Sequence, residues 1–385
     1  MSARPRVAII SDTVDDTNGV AIGLRRLVTA AKSAGYPIEL VGAANAAAAA
    51  TDPVVRIPAA MSASLPFYAE MTWSVPQLPA LVTWLARSAD LVQVATPGPM
   101  GLAGLIAGRM LGLPVIAQYH TEVAEYAARM TGLPFLRGVV GPMVGWFYQQ
   151  ADLCLAPSDA VMHRLAELGV PVTRTCRVER GVDLALFHPA RRSRSVFARH
   201  GIDDGPVVLY VGRLSREKNV DALHTAWAKV REARPDAHLL VVGDGPLPNA
   251  ISGPGVHAIG PLFGEELATV FASADVFAFP SETETFGNVV VEAAASGLPS
   301  VVASAGAAHE HVVDGVTGDV IDGSEPAALA RAIVRLLDDP ARRHEMGLAA
   351  RGHATTYDLA SAVRATWHIY RGVMRDRVTA IEAAS

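Results

Sequence analysis

The stretch Val207-Val208-Leu209-Tyr210-Val211-Gly212-Arg213-Leu214-Ser215-Arg216-Glu217-Lys218-Asn219 sets the fold of this chain. Five apolar residues in a row, three of them Val, predict a strand buried on both faces, and Gly212 opens a polar loop at its carboxyl end. A helical segment follows, then a second apolar run, His238-Leu239-Leu240-Val241-Val242-Gly243. The two runs start 31 residues apart (207 and 238), which suits a strand, a crossover helix and a parallel strand. The layout recurs near the amino end. Val7-Ala8-Ile9-Ile10 leads through a Gly-containing loop and an amphipathic helix to Ile38-Glu39-Leu40-Val41-Gly42, again 31 residues on (7 and 38). Two such starts predict two doubly wound α/β domains. A chain of 385 residues has room for both, since single cores stop growing near ~250–300 residues. Sequence identity between the halves is low, so the echo is structural.

Further on, Ala274-Asp275-Val276-Phe277-Ala278-Phe279-Pro280 reads as a buried strand. Ser281-Glu282-Thr283-Glu284-Thr285-Phe286-Gly287-Asn288-Val289-Val290-Val291-Glu292 reads as the turn and helix start after it. First-turn N–H groups of a helix have no intrahelical partner, and the helix dipole adds positive partial charge, so such a turn suits a phosphate. Glu284 in the loop is placed to accept hydrogen bonds from sugar hydroxyls. Glu292, one turn into the helix, reaches a second pair, such as those of a ribose. For each carboxylate alone, dipole complementation or solvated charge is the plainer alternative.

Glu284-x7-Glu292 around Phe286-Gly287-Asn288 resembles the retaining glycosyltransferases of family 4, and Glu292-Ala-Ala-Ala-Ser-Gly-Leu-Pro-Ser-Val-Val-Ala303 continues the likeness. The resemblance recurs near residues 12–24, 118–126, 151–158, 180–189, 211–219, 241–246 and 309–318, and so covers nearly the whole chain. It implies the α/β fold called GT-B, with two Rossmann-like domains facing across a cleft and a C-terminal helix crossing back. The implied organisation is an acceptor-binding domain over 1–185, a nucleotide-sugar-binding domain over 186–356 and a helical segment over 357–385 that packs on the first domain. The resemblance also implies that His120, Arg213, Lys218 and Glu284 are catalytic. By the same likeness Gly19, Phe286, Gly287, Asn288, Val289 and Glu292 hold the donor.

These roles are physically reasonable. A departing nucleoside diphosphate gains negative charge as its bond to the sugar breaks, and cations placed there favour the transition state over the ground state. Arg213 offers a planar fork and Lys218 a compact point charge. Arg216, beside them, reads as solvated. His120 follows the apolar strand Pro114-Val115-Ile116-Ala117 and is expected to hydrogen-bond near the reacting centre, although a structural histidine is the alternative. Asn18-Gly19 stands where many members carry two glycines, and Gly there allows close backbone approach. The turns Gly243-Asp244-Gly245-Pro246 and Gly260-Pro261 border the base pocket or are plain turns.

Within the family, His120-Thr121-Glu122-Val123-Ala124-Glu125-Tyr126 and Glu282-Thr-Glu-Thr-Phe-Gly-Asn288 are similar to the branch of GDP-mannose-dependent mannosyltransferases and sulfoquinovosyl or related glycolipid transferases. The expected activity is retaining transfer of a hexose, mannose favoured, from a GDP-sugar or UDP-sugar to a glycolipid or small-molecule acceptor. No cofactor and no metal are expected. Asp12, Asp15 and Asp16 invite a metal reading, yet no Asp-x-Asp occurs in the chain, and Glu282-Thr283-Glu284 is the nearest mimic. The other readings are a UDP-sugar-dependent glucosyl- or N-acetylglucosaminyltransferase, a GT-B sugar-nucleotide epimerase, and a non-catalytic sugar-nucleotide binder. No G-x-G-x-x-G is present, which argues against a dinucleotide oxidoreductase. The three lysines, Lys32, Lys218 and Lys229, leave little room for a pyridoxal Schiff base.

Composition narrows the rest. A formal charge of −5 argues against nucleic acid as a partner. Two cysteines, Cys154 and Cys176, are too few for a disulfide framework and fit a reduced, cytoplasmic protein. The short strand at Val7 is no signal sequence, and the apolar stretch Leu102 to Ala117 is too short and interrupted to span a membrane, so it reads as helix then strand. Residues 66–76, with Phe67, Tyr68, Met71 and Trp73, read as an aromatic-rich loop, and Trp146-Phe147-Tyr148 poses the same choice between core and exposed surface. If exposed, either meets an acceptor or the inner face of a membrane, although no Lys/Arg-rich amphipathic helix stands beside them to anchor the chain firmly to anionic lipid. The Arg- and Ser-rich run at 191–194 reads as a linker, and Ala43 to Ala50 as helix or loop.

Overall fold

The computed structural model describes residues 4–16, 18–44, 54–65, 68–131, 133 and 135–384. The chain forms two compact units, Met1–Gly181 together with Leu359–Ser385, and Val182–Asp358.

The first unit is built on a seven-stranded sheet in the order Val54–Ile57, Ile38–Ala43, Val7–Ile10, Leu91–Val94, Val115–Gln118, Leu153–Ala156, Thr175–Arg177. Every pairing is parallel. Successive strand residues point to opposite faces, so Val7 and Ile9 join one core while Ala8 and Ile10 join the other. The core around Ala8 and Ile10 takes Leu81 and Leu85, Met100 and Ala103, and Val144 and Phe147 from three helices, Leu78–Ser88, Pro99–Met110 and Leu136–Gln149. The core around Val7 and Ile9 takes Leu24 and Val28 from helix Gly19–Ser33. It also takes Val363, Trp367 and Tyr370 from the last helix, Leu359–Ala384. The Tyr370 hydroxyl donates to Gln93 Oε1 at 2.5 Å, and Gln93 Nε2 donates to Gln118 Oε1 at 2.8 Å, so a buried polar chain pins that helix to two central strands.

The second unit has a six-stranded parallel sheet in the order Val256–Ala258, His238–Val242, Val207–Val211, Val276–Phe279, Ser300–Ala303, Gly318–Ile321. In both sheets the strand order reverses beside the first strand, which opens a crevice at the carboxyl ends. In this unit the crevice lies between Val207–Val211 and Val276–Phe279.

Two expectations need correction. Residues 68–76 are a strand, Tyr68–Pro76, paired antiparallel with Ala59–Leu65; period-two alternation decides it, with Ser74 buried and Trp73 and Val75 exposed. Pro66 and Phe67 lie outside the described residues, as do 45–50 of the alanine-rich stretch. The run at 191–194 is no free linker. Arg192 and Arg194 reach Asp275 at 3.3 and 3.1 Å, and Ser193 N donates to Ser273 Oγ at 2.9 Å. The nearly buried Asp275 carboxylate draws the arginines onto the second unit. The units divide at Gly181/Val182 and Asp358/Leu359, where Val182 N donates to Tyr357 O at 2.8 Å and the two chain crossings run side by side.

Candidate functional site

In the second unit the crevice brings two segments together. After Val211 the chain enters a loop and a single 3-10 turn, Arg216–Lys218, which ends at Asn219 in the left-handed conformation (φ 55°). Asn219 Nδ2 donates to Gly323 O at 2.9 Å, which ties this turn to the far side of the crevice. Arg213 is half-buried, and its carbonyl accepts from the Tyr210 hydroxyl at 2.9 Å. The turn at 243–246 supports this loop from behind: Leu214 N donates to Asp244 O at 2.7 Å, and Leu247 N to Leu214 O at 3.0 Å. Arg216 is exposed.

Opposite, the strand Val276–Phe279 delivers residues 280–287 to the same place. Lys218 Nζ is ion-paired with Glu284 Oε1, and Ser281 Oγ donates to the same oxygen at 2.8 Å. The Lys218 and Glu284 side chains are 17% and 13% exposed. Two segments 66 residues apart in sequence thus place one cation and one carboxylate at a crevice edge, open enough for a ligand and buried enough for charge to matter. Thr283 Oγ1 donates to Glu217 O at 3.0 Å and locks the segments in register.

The helix Asn288–Ala295 then starts at Gly287, whose φ of 90° is open only to glycine at low cost. A Cβ there would also stand 3.2 Å from Ala308 Cα. Asn288 and Val289 are half-buried at the first turn, whose N–H groups have no acceptor within the helix. Glu292 is buried on this helix. The Phe286 ring is buried against His311 and Tyr357, so Phe286 offers a ligand its backbone only.

Gly19 and His120 belong to the first unit. Gly19 is exposed at the first position of its helix, and the Asn18 side chain caps Val20 N and Ala21 N at 3.0 Å each. His120 is buried directly after Val115–Gln118. Its Nδ1 lies 2.6 Å from the Arg180 guanidinium, which only donates, so the ring's proton sits on Nε2. Burial first, and the Arg180 charge second, hold the imidazole's pKa well below its ordinary value. The ring is therefore a neutral hydrogen-bond donor. Nearby, burial raises the Glu122 carboxyl above the usual range, while Tyr119 and Arg164 (3.3 Å) bond to it.

The aspartates near residue 12 have structural duties. Asp12 accepts from Met100 N at 2.7 Å, Gly101 N at 3.3 Å and the Thr96 hydroxyl at 2.5 Å, and so caps helix Pro99–Met110 in place of Gly98. A Cβ on Gly98 would stand 2.5 Å from Asp12 Oδ2. Asp15 pairs with Arg56 at 2.6 Å. Among the described residues no group of three potential ligands is placed to hold a metal ion. Sequence reasoning missed Arg180 and His311 and the capping role of Asp12, because each acts on a residue far away in sequence and no local pattern marks such a contact.

Two parallel doubly wound sheets, each with a crevice at its carboxyl ends, are the architecture of the GT-B fold. The family described as Glycosyltransferase Family 4 matches residues 17–186, and Glycosyl transferases group 1 matches residues 205–339. The chain belongs to the family 4 glycosyltransferases. It is 32% identical over 361 residues to a GDP-mannose-dependent alpha-mannosyltransferase of Mycolicibacterium smegmatis, covering 90% of this chain and 92% of that one. It is 32% identical over 318 residues to the sulfoquinovosyl transferase SQD2 of Arabidopsis thaliana, covering 80% of this chain and 61% of that longer protein. In fold it matches sucrose-phosphate synthase of Thermosynechococcus elongatus with a TM-score of 0.77 at 22% identity, covering 97% of this chain and all of the other. Anabaena HepE in complex with UDP and glucose matches with a TM-score of 0.75 at 21% identity, covering 96% of this chain and all of the other.

Proposed function

We propose that this glycosyltransferase moves a mannosyl group from GDP-mannose to an acceptor hydroxyl with retention at the anomeric carbon and without a metal ion. The observation that carries the reading is the Lys218–Glu284 pair at the crevice edge, shortly before the start of helix Asn288–Ala295, which no side chain caps. The donor diphosphate takes Lys218, Arg213 and the first-turn N–H groups of Asn288 and Val289. Glu284 accepts from sugar hydroxyls, and Glu292 holds the ribose. His120 donates from Nε2 to the sugar, and Gly19 gives the donor room. The anomeric C–O bond to the β-phosphate breaks while the acceptor oxygen bonds to the same face, and the departing phosphate takes the acceptor's proton. Positive charge from Arg213 and Lys218 does the work a metal does elsewhere. Mannose and GDP are favoured by the similarity to mannosyltransferases over 90% of the chain.

The acceptor we favour is a glycolipid. Helix Leu136–Gln149 and the residues before it leave Phe135, Val139, Met143 and Trp146 exposed along one stripe, with Arg137 the one charge on that helix, while Phe147 and Tyr148 are core. Among the described residues no helix is long and apolar enough to cross a membrane. Such a face suits a lipid surface that carries the acceptor.

Calorimetry of GDP and UDP on the wild type and on Arg213→Ala tests the donor. GDP binding that is lost in the variant supports the reading. Preference for UDP redirects it to glucosyl or N-acetylglucosaminyl transfer, and an epimerase turns over its sugar nucleotide with no acceptor present. NMR of the product anomer decides retention, and activity in excess EDTA decides the metal.

A further inference from the structure

We infer that His311 is a positioning residue for the donor turn and that Tyr357 fixes the orientation of its ring. This rests on the reading of residues 284–292 as donor-binding. His311 ends the short 3-10 turn Ala308–His311 and is 1% exposed. Its Nε2 lies 2.6 Å from the Phe286 carbonyl oxygen, and its Nδ1 lies 3.0 Å from the Tyr357 hydroxyl. A carbonyl only accepts, so Nε2 carries the proton. In the neutral ring Nδ1 then accepts from the Tyr357 hydroxyl. One tautomer satisfies both contacts.

The Phe286 carbonyl matters because of the peptide that contains it. A trans peptide is planar, with C=O and the following N–H pointing in opposite directions. Holding the Phe286 oxygen against a buried histidine therefore turns the Gly287 N–H away from the core, beside the first-turn N–H groups of Asn288 and Val289. Gly287 sits at φ 90°, and glycine accepts positive and negative φ about equally, so rotation of the 286–287 peptide meets little steric resistance. The turn needs glycine for its shape and consequently needs an outside lock. His311 is that lock.

Tyr357 is held in turn. Its ring meets His311 edge-on with centroids 5.0 Å apart, and its carbonyl accepts from Val182 N at 2.8 Å, where both chain crossings leave the second unit. The Tyr357–His311–Phe286 chain thus links the donor turn to the backbone where the chain enters and leaves the second unit.

The test is binding of GDP and of UDP to the full chain, with donor KM, acceptor KM and kcat measured alongside. With a hydrogen bond worth about 1 kcal/mol, Tyr357→Phe is expected to weaken nucleotide binding about fivefold and raise donor KM to match, with acceptor KM unchanged. His311→Leu is expected to weaken it about tenfold or more, and His311→Gln, which keeps a donor toward the carbonyl, to recover most of the loss. Circular dichroism at the assay temperature confirms that each variant is folded, and Tyr357→Phe decides alone if His311→Leu is not. Folded variants that bind nucleotide as the wild type does overturn the positioning role and leave the donor site standing. A wild type that binds neither nucleotide overturns the donor site and this role with it.

Discussion

Lys218 and Glu284 are ion-paired, so on the proposed function a diphosphate competes with Glu284 for Lys218. Arg213→Ala or Lys218→Ala is expected to lose about 2.7–4 kcal/mol of transition-state stabilisation, roughly 10²–10³ in rate. Because Lys218 and Glu284 touch, Lys218→Ala with Glu284→Gln is expected to cost less in kcat/KM than the two losses added, whereas strict additivity would show that the pair acts independently. His120 gives a different signature. Its folded-state pKa is depressed by burial and by Arg180, so between that value and the unfolded value near ~6.5 only the unfolded chain binds the proton. Stability is then full above about pH 6.5 and falls as the pH drops toward the folded value. Melting temperatures of His120→Asn are expected to fall less steeply than wild type on acidification, and parallel curves would exclude the shift. The neutral ring also predicts no acid limb in kcat/KM near pH 6.5 from this group.

At the scale of elements, the turn at Gly287 and the helix Asn288–Ala295 depend on a backbone that only glycine adopts freely. Gly287→Ala is expected to lose about 1–3 kcal/mol from the left-handed φ, with further loss from the approach to Ala308, as read from urea unfolding. An unchanged midpoint would mean that the turn rearranges. The stripe on helix Leu136–Gln149 is tested by vesicle flotation: Trp146→Glu with Met143→Glu should abolish association with phospholipid vesicles and leave GDP binding intact. Retained flotation would move the lipid contact elsewhere. Strands and helices were legible because period two and period 3.6 are local properties. The strand Tyr68–Pro76 was mistaken for a loop because Pro66 and Pro76 bracket it in the sequence as turn residues do, and only its partner strand, Ala59–Leu65, gives the alternation meaning.

Over the whole molecule, the last helix is part of the first unit. Tyr370→Phe strands the buried Gln93 oxygen and is expected to cost about 1–3 kcal/mol. Deletion of 359–384 removes Trp367 and Tyr370 from the core around Val7 and Ile9, so the first unit should fail to fold while Val182–Asp358 keeps its own cooperative transition. A truncated chain with two intact transitions would refute that dependence.

The amino-acid sequence alone determined the doubly wound class and the two segments that meet at the second unit's crevice, because strand-loop-helix order is written in consecutive residues. Tertiary structure alone decided which nitrogen of His120 holds its proton, through an arginine 60 residues on. It also turned Asp12 from a metal candidate into a helix cap and made His311 the keeper of a turn 25 residues before it. Those assignments depend on direction and distance between side chains brought together by packing, and no periodicity in the chain encodes either.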